Sequence, residues 1–229
     1  IVLALAGVGI AGASAIGATG PVVSVRLLQG NVEQGMKFDP QRALKAMNDY
    51  TDDILAGEAQ LTVLPETAWT TTWRGTPPAI RDRMFSHLAR TGGWVAIGLP
   101  EHASGPRQAS AGMLANSVVV RGPDGEVRGR YDKRHLVPFG EWIPFREVLL
   151  PRLPILEQIG RQSIPGEGPG VVDAPIADDP HLQVGTIICF ELAYDDTSYD
   201  TVRGGGEVIV SQSNTNTYGG TFQPPQQLV

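Results

Sequence analysis

From Pro21 onward the chain alternates short apolar runs with amphipathic helical segments, and this alternation restricts the fold more than any other feature. Val22–Gln29 is rich in strand formers. Arg42–Gly57 places Leu44, Met47, Thr51, Ile54 and Leu55 near one face of a helix. Leu61–Leu64 reads as a short buried strand ending at Pro65-Glu66. Pro78–Arg90 reads as a second helix, with Thr76 as its N-cap and Ile80, Met84, Phe85 and Leu88 facing inward. Trp94–Gly98 is strand-like. Ser117–Arg121 and Glu126–Tyr131 flank Gly122-Pro-Asp-Gly125, a hairpin signal. Leu182–Phe190 and Glu207–Ser211 resume the strand pattern after a long interruption. Strands alternating with helices imply an α/β domain in which sheet is flanked by helix.

The interruption, Leu136 to Pro180, carries eight prolines and clustered apolar residues around Trp142–Leu156. It reads as a long irregular insertion, and loops of that length usually have a function of their own. The other end of the chain is different again: Ile1 to Val25 holds no charged residue. Ile1–Gly20 fits the end of a transmembrane helix, a signal peptide lacking its basic start, or a buried helix. Its many small residues, and the absence of Met and Lys/Arg, favour the membrane helix. A net charge of −6 and the lack of any Lys/Arg-dense run argue against a nucleic-acid partner. One cysteine permits no internal disulfide, and no His/Cys spacing suggests a metal.

That cysteine, Cys189, ends the apolar run Val184–Ile188, and Phe190-Glu191-Leu192 breaks the pattern at once. A lone cysteine is ordinarily a core filler. At a strand-to-helix elbow, however, a thiol can stand at the sheet edge beside a backbone N–H, which is half of an oxyanion hole. Glu66 and Lys133 also follow strand-like runs, where a surface carboxylate and a solvated ammonium are the usual finding. Beside a thiol, a carboxylate gains the role of general base. Burial strengthens such a base and a neighbouring cation limits the effect. Lys133 would supply that cation and face the developing oxyanion. Other candidates carry less. His87, His102, His135 and His181 are scattered, with His135 and His181 the only alternatives for a Cys–His pair. Gly166-Glu-Gly-Pro-Gly170 lacks the lysine and setting of a phosphate loop, and Asp178-Asp179 and Asp195-Asp196 read as solvated acids or caps.

The order Glu66, Lys133, Cys189, in the words Leu64-Pro-Glu-Thr67, Tyr131-Asp-Lys133 and Ile188-Cys-Phe-Glu191, resembles the nitrilase superfamily. The further match Leu136-Val-Pro-Phe-Gly-Glu-Trp142 is similar to the apolipoprotein N-acyltransferases, membrane enzymes that add the third acyl chain to bacterial lipoproteins. The resemblance implies a nitrilase-like α-β-β-α sandwich over residues 21–229, incomplete at its C-terminus. It would be preceded at residues 1–20 by the end of a transmembrane helix. It implies a ping-pong acyltransferase with Cys189 as nucleophile, Glu66 as base, Lys133 at the oxyanion and Glu141 orienting the lysine. Phe190, Glu191, Trp142, Phe145, Asn214 and Tyr218 would line the oxyanion and substrate positions. The donor would be a phospholipid and the acceptor a diacylglyceryl lipoprotein, with no metal or organic cofactor. The catalytic domain would lie on the outer face of the cytoplasmic membrane. One stretch departs from the family: Ser213-Asn-Thr-Asn-Thr-Tyr-Gly219 stands where Asn-Asp-Ala-Trp-Phe-Gly is common, which bears on donor or acceptor preference. A soluble carbon–nitrogen hydrolase and an inactive membrane-anchored binding domain are the rival readings.

Overall fold

A computed structural model describes residues 22–30, 39–102, 113–159, 162–176 and 181–215. The first helix, α1 (Pro40–Leu55), starts where Asp39 accepts hydrogen bonds from the N–H groups of Gln41 and Arg42 and Pro40 presets the first turn. Met47, Tyr50, Thr51 and Ile54 form its buried face. Leu44, expected on that face, is 42% exposed, because the stripe begins one turn later than the periodicity suggests. The second helix, α2 (Pro78–Thr91), buries Ile80, Met84, His87 and Leu88. Thr76 is not its cap: Pro77 holds that position, and the buried Thr76 hydroxyl donates to Thr72 O instead.

Five strands form the larger sheet in chain order: β1 (Val25–Leu27), β2 (Leu61–Val63), β3 (Trp94–His102), β4 (Leu114–Arg121) and β5 (Val127–Asp132). The β1–β2 and β2–β3 pairs are parallel, and β3–β4 and β4–β5 are antiparallel. The smaller sheet has β6 (Val171–Asp173), β7 (Gln183–Ile188) and β8 (Val208–Gln212), with β7 central, antiparallel to β6 and parallel to β8.

Strand parity sorts the apolar residues into two cores. Leu61, Val63, Trp94, Ala96, Val118 and Val120 face Val172, Val184, Ile188 and Val210 of the smaller sheet. Leu64, Val95, Ile97, Leu99 and Val119 pack instead on Met47, Tyr50, Ile54, Ile80, Met84 and Leu88 of α1 and α2. The outer face of the smaller sheet is covered by α4 (Asp195–Arg203), which contacts β7. The layers are therefore helix, sheet, sheet, helix, the α-β-β-α sandwich. Each fully buried aliphatic in these cores contributes roughly 1.5–3 kcal/mol.

Several elements lie outside the sequence expectations. The helix α4 buries only Thr197 and Thr201, so it shows no apolar stripe. Thr201 fits where Gly170 and Gly185 leave room. The interruption at 136–180 contains β6, too short for periodicity to register, a single-turn helix α3 (Arg146–Leu149) and a 3-10 segment, Pro154–Ile159. Among the described residues no helix is long and apolar enough to cross a membrane. Residues 1–20 and Tyr218 lie outside the described residues.

Candidate active site

Three strand ends converge on one point. After β2, Leu64 N still donates to Ala96 O, and Pro65, without an N–H, breaks the ladder. Thr67 then takes a left-handed conformation (φ 47°), which turns Glu66 inward. The turn lies directly on β3. A Cβ at Gly98 would stand 2.3 Å from Pro65 O and 2.8 Å from Glu66 Cα, so only glycine allows the approach.

Lys133 follows β5 immediately. Its N–H donates to Asn116 O, its carbonyl accepts from Gly166 N, and its side chain is 1% exposed. Burying an ammonium demands compensation. It comes from Glu66 Oε1 at 3.2 Å and Glu141 Oε2 at 2.9 Å. Burial alone pushes the ammonium toward losing its proton. The charges of Glu66, Glu141 and then Cys189 outweigh that, so the lysine holds its proton above the ordinary range. Cys189 is therefore within electrostatic reach of Lys133.

Glu141 is aimed by a tight turn. Its N–H donates to Val137 O, its Oε2 accepts from Val137 N at 2.9 Å, and Phe139 N donates to Trp142 O. Phe139 takes a positive φ of 60° to close that turn.

Cys189 itself leaves β7 with φ 53°, a left-handed conformation rare for a residue with a side chain. It opens a short 3-10 segment, Cys189–Ala193, with Phe190 next in line. The elbow is pinned from beneath by Glu191, which is fully buried. Its Oε2 accepts from Ile188 N at 2.9 Å, and its Oε1 accepts from Tyr131 OH and Arg134 N, both at 2.7 Å, and from His135 N. Burial first, and then the Glu191 charge, keep the Tyr131 phenol protonated above its normal range. Glu191, expected at the substrate position, scaffolds the elbow through its hydrogen bonds.

Of the other expected residues, Phe190 sets its half-buried ring edge-on against Tyr194 at 5.3 Å. Asn214 donates its N–H to Glu66 Oε2 at 2.8 Å and its Nδ2 to Thr67 Oγ1 at 3.1 Å. Trp142 and Phe145 project outward, 38% and 81% exposed. The histidine alternative His135 stacks on Tyr194 at 3.9 Å and pairs with Asp196 at 3.1 Å. Asp195 and Asp196 occupy the first turn of α4, where negative charge suits the helix dipole.

The residue that sequence reasoning missed is Asn116. Its Nδ2 donates to Glu66 Oε1 and to Glu141 Oε1, each at 2.7 Å, so one amide braces both carboxylates. The available signal was parity: Asn116 shares the inward face of β4 with Val118 and Val120, where an unexplained polar residue needs partners.

The chain thus sets a carboxylate–ammonium–carboxylate cluster and a thiol on a strained elbow at strand ends of an α-β-β-α sandwich; over residues 24–229 it matches the family described as carbon-nitrogen hydrolase, and it belongs to that family. Within it, the chain is similar to proteins named apolipoprotein N-acyltransferase. The one from Nostoc sp. is 30% identical over 223 residues, covering 95% of this chain and 41% of that protein. The one from Geobacter metallireducens is 29% identical over 216 residues, covering 91% and 39%. The chain thus spans about two fifths of the length of these relatives. Among solved structures, NitN amidase from Nesterenkonia sp. AN1 shares the fold, with a TM-score of 0.54 and 17% identity, covering 91% of this chain and 74% of that one.

Proposed function

We propose that this chain is the catalytic domain of an acyltransferase that moves a fatty acyl chain from a membrane phospholipid to the N-terminal amine of diacylglyceryl-cysteine lipoproteins. The observation that carries the reading is the buried Lys133 ammonium held between Glu66 and Glu141, in a chain similar to apolipoprotein N-acyltransferases over nine tenths of its length. Cys189 Sγ attacks the ester carbonyl of the donor while its proton passes to Glu66. Lys133 and the Phe190 N–H face the oxyanion. Glu66 returns the proton to the departing glycerol oxygen, and lysophospholipid leaves a thioester on Cys189. The acceptor amine then attacks the thioester, an amide forms, and Glu66 carries the amine's proton to the leaving sulfur. Glu141 and Asn116 keep Lys133 charged and Glu66 in place throughout. No step needs a metal or an organic cofactor.

Several features support a membrane setting. Phe139, Trp142, Phe145, Val148, Leu153 and Ile155 are large apolar residues exposed along one loop beside Glu141. Aromatic and aliphatic residues in such a patch gain free energy at a lipid interface. The uncharged residues 1–20 read as the end of a transmembrane helix ahead of a catalytic domain at 21–229, and the likeness to the apolipoprotein N-acyltransferases supports a domain on the outer face of the cytoplasmic membrane.

The experiment is to incubate the full-length protein with phospholipid and no lipoprotein. One fatty acyl mass should accumulate on Cys189 by intact-protein mass spectrometry, because a water-poor pocket preserves the thioester. A diacylglyceryl-cysteine peptide should discharge it as an amide. Steady release of free fatty acid, no trapped adduct and fast turnover of a small amide would establish a carbon–nitrogen hydrolase instead.

A further inference from the structure

The strand β8 ends on Gln212, a polar side chain only 2% exposed. Its Nε2 donates to the carbonyl of Leu64, two residues before Glu66. Two residues beyond Gln212, Asn214 reaches Glu66 Oε2 through its N–H and Thr67 Oγ1 through its Nδ2. Three hydrogen bonds thus join the end of β8, in the smaller sheet, to the Leu64–Thr67 turn of the larger sheet. They cross the interface between the two sheets. The parallel register of β7 and β8 pairs Gln212 with Ile188, the residue before Cys189. One strand end is therefore held sideways to the strand of the thiol and across to the turn of the carboxylate.

The turn depends on such a hold, since Pro65 has no N–H to offer and Thr67 sits in a strained conformation. The amide can serve in only one orientation, because turning Oε1 toward Leu64 O would set two acceptors face to face. In that orientation Gln212 Oε1 has no hydrogen-bond partner among the described residues. An unmet buried acceptor costs stability. An apolar side chain of similar length would remove that unmet acceptor but leave the Leu64 carbonyl without this donor, so the glutamine is kept for the hydrogen bond and not for packing.

We infer that Gln212 is a positioning residue: its hydrogen bond to Leu64 O sets where the Glu66 carboxylate stands relative to the Cys189 thiol. This rests on the reading of Glu66 as the base for Cys189. Gln212 touches neither substrate nor thiol in this role and acts only through Glu66.

The test uses the full-length protein and four forms: wild type, Gln212→Met, Glu66→Gln and the double variant. Iodoacetamide alkylation of Cys189 is followed against pH, beside thermal melting and turnover on phospholipid vesicles with a diacylglyceryl-cysteine peptide. Gln212→Met exchanges one unmet acceptor, its own Oε1, for another, Leu64 O, so it should stay folded with melting lowered by only a few degrees. Its Cys189 alkylation near neutral pH should fall about tenfold and kcat by a similar factor, with KM for the donor unchanged. On the Glu66→Gln background the same substitution should cost nothing further, because the group it positions is already disabled. Gln212→Met alkylating within about twofold of wild type, or an equal loss on both backgrounds, overturns the proposal. If Glu66→Gln alone behaves as wild type, the base assignment fails and takes the proposal with it, a result distinct from the other two. If the methionine variant does not fold, Gln212→Asn, one methylene short of Leu64 O, is read by the same criteria.

Discussion

The buried cluster around Lys133 and the apolar loop around Trp142 lie within ten residues of each other in sequence, yet they are built on opposite terms. In the cluster every charge has a fixed partner: Lys133 sits between Glu66 and Glu141, and Asn116 bridges both carboxylates. In the loop, the turn at Val137–Trp142 and the single turn of α3 are secured by backbone hydrogen bonds, while Phe139, Trp142, Phe145 and Val148 remain exposed. The first arrangement fixes charges for chemistry. The second leaves apolar surface uncommitted, which is suited to docking. Glu141 is where the two meet, since its carboxylate holds Lys133 while its backbone belongs to the loop.

The sharpest way to break this division is at the thiol. Cys189→Ala and Cys189→Ser should each lower transfer by roughly ten-thousand-fold or more while the protein melts near wild type. Wild-type turnover in either variant would show that the cluster does not serve that sulfur. Glu66→Gln comes next, with a loss of roughly a hundred- to ten-thousand-fold in turnover and a parallel fall in Cys189 alkylation. Lys133→Ala should cost about 3–5 kcal/mol of stability by urea unfolding, because it leaves two carboxylates facing each other without their cation. A neutral result would make the lysine a bystander.

Lys133 also gives the comparison a pH signature. The folded protein holds this proton more tightly than the unfolded chain does. Its contribution is therefore complete below the ordinary lysine range and is lost only as pH rises through the still higher folded value. On raising pH from about 7 to about 9 the stability gap between wild type and Lys133→Met should not shrink, because the lysine keeps its proton and the variant's unpaired carboxylates only gain charge; a gap that shrinks over that rise would contradict the assignment.

The smallest effect belongs to the loop. Trp142→Ser with Phe145→Ser should reduce action on vesicle-borne donor about tenfold and leave a short soluble ester almost unaffected. Equal losses on both substrates would move these residues from the docking surface into the pocket.

The sequence carried the three polar residues at strand ends because each follows a recognisable apolar run and each strand stops abruptly. It carried Glu141 only through family likeness, since its place depends on a turn closed by the positive φ of Phe139, which no periodicity reports. Asn116 and Gln212 escaped for a different reason. Each shares a strand face with buried apolar residues, Asn116 with Val118 and Val120 and Gln212 with Val210, and their importance appears only when the partner strands are placed beside them. Glu191 was expected beside the substrate from its adjacency to Cys189, and nothing in the sequence signalled its hydrogen bonds to Ile188, Tyr131 and Arg134. The 3-10 turn instead rotates its carboxylate beneath the elbow. The helix α4 was invisible because it buries threonines rather than a stripe of aliphatics.

The span of the hydrogen bonds at the site has a consequence for the life of the chain before it is folded. Lys133 meets Glu66 across 67 positions, and Asn214 meets Glu66 across 148. Contacts this distant in sequence close late, because the entropy of closing long loops must be overcome before they form. During synthesis Cys189 emerges well after Glu66, and Asn214 emerges later still. Until the two sheets dock, Cys189 is an ordinary cysteine, with no activating partner and no oxyanion donor. On the proposed mechanism, reactivity is thus withheld from the nascent chain until β8 is in place.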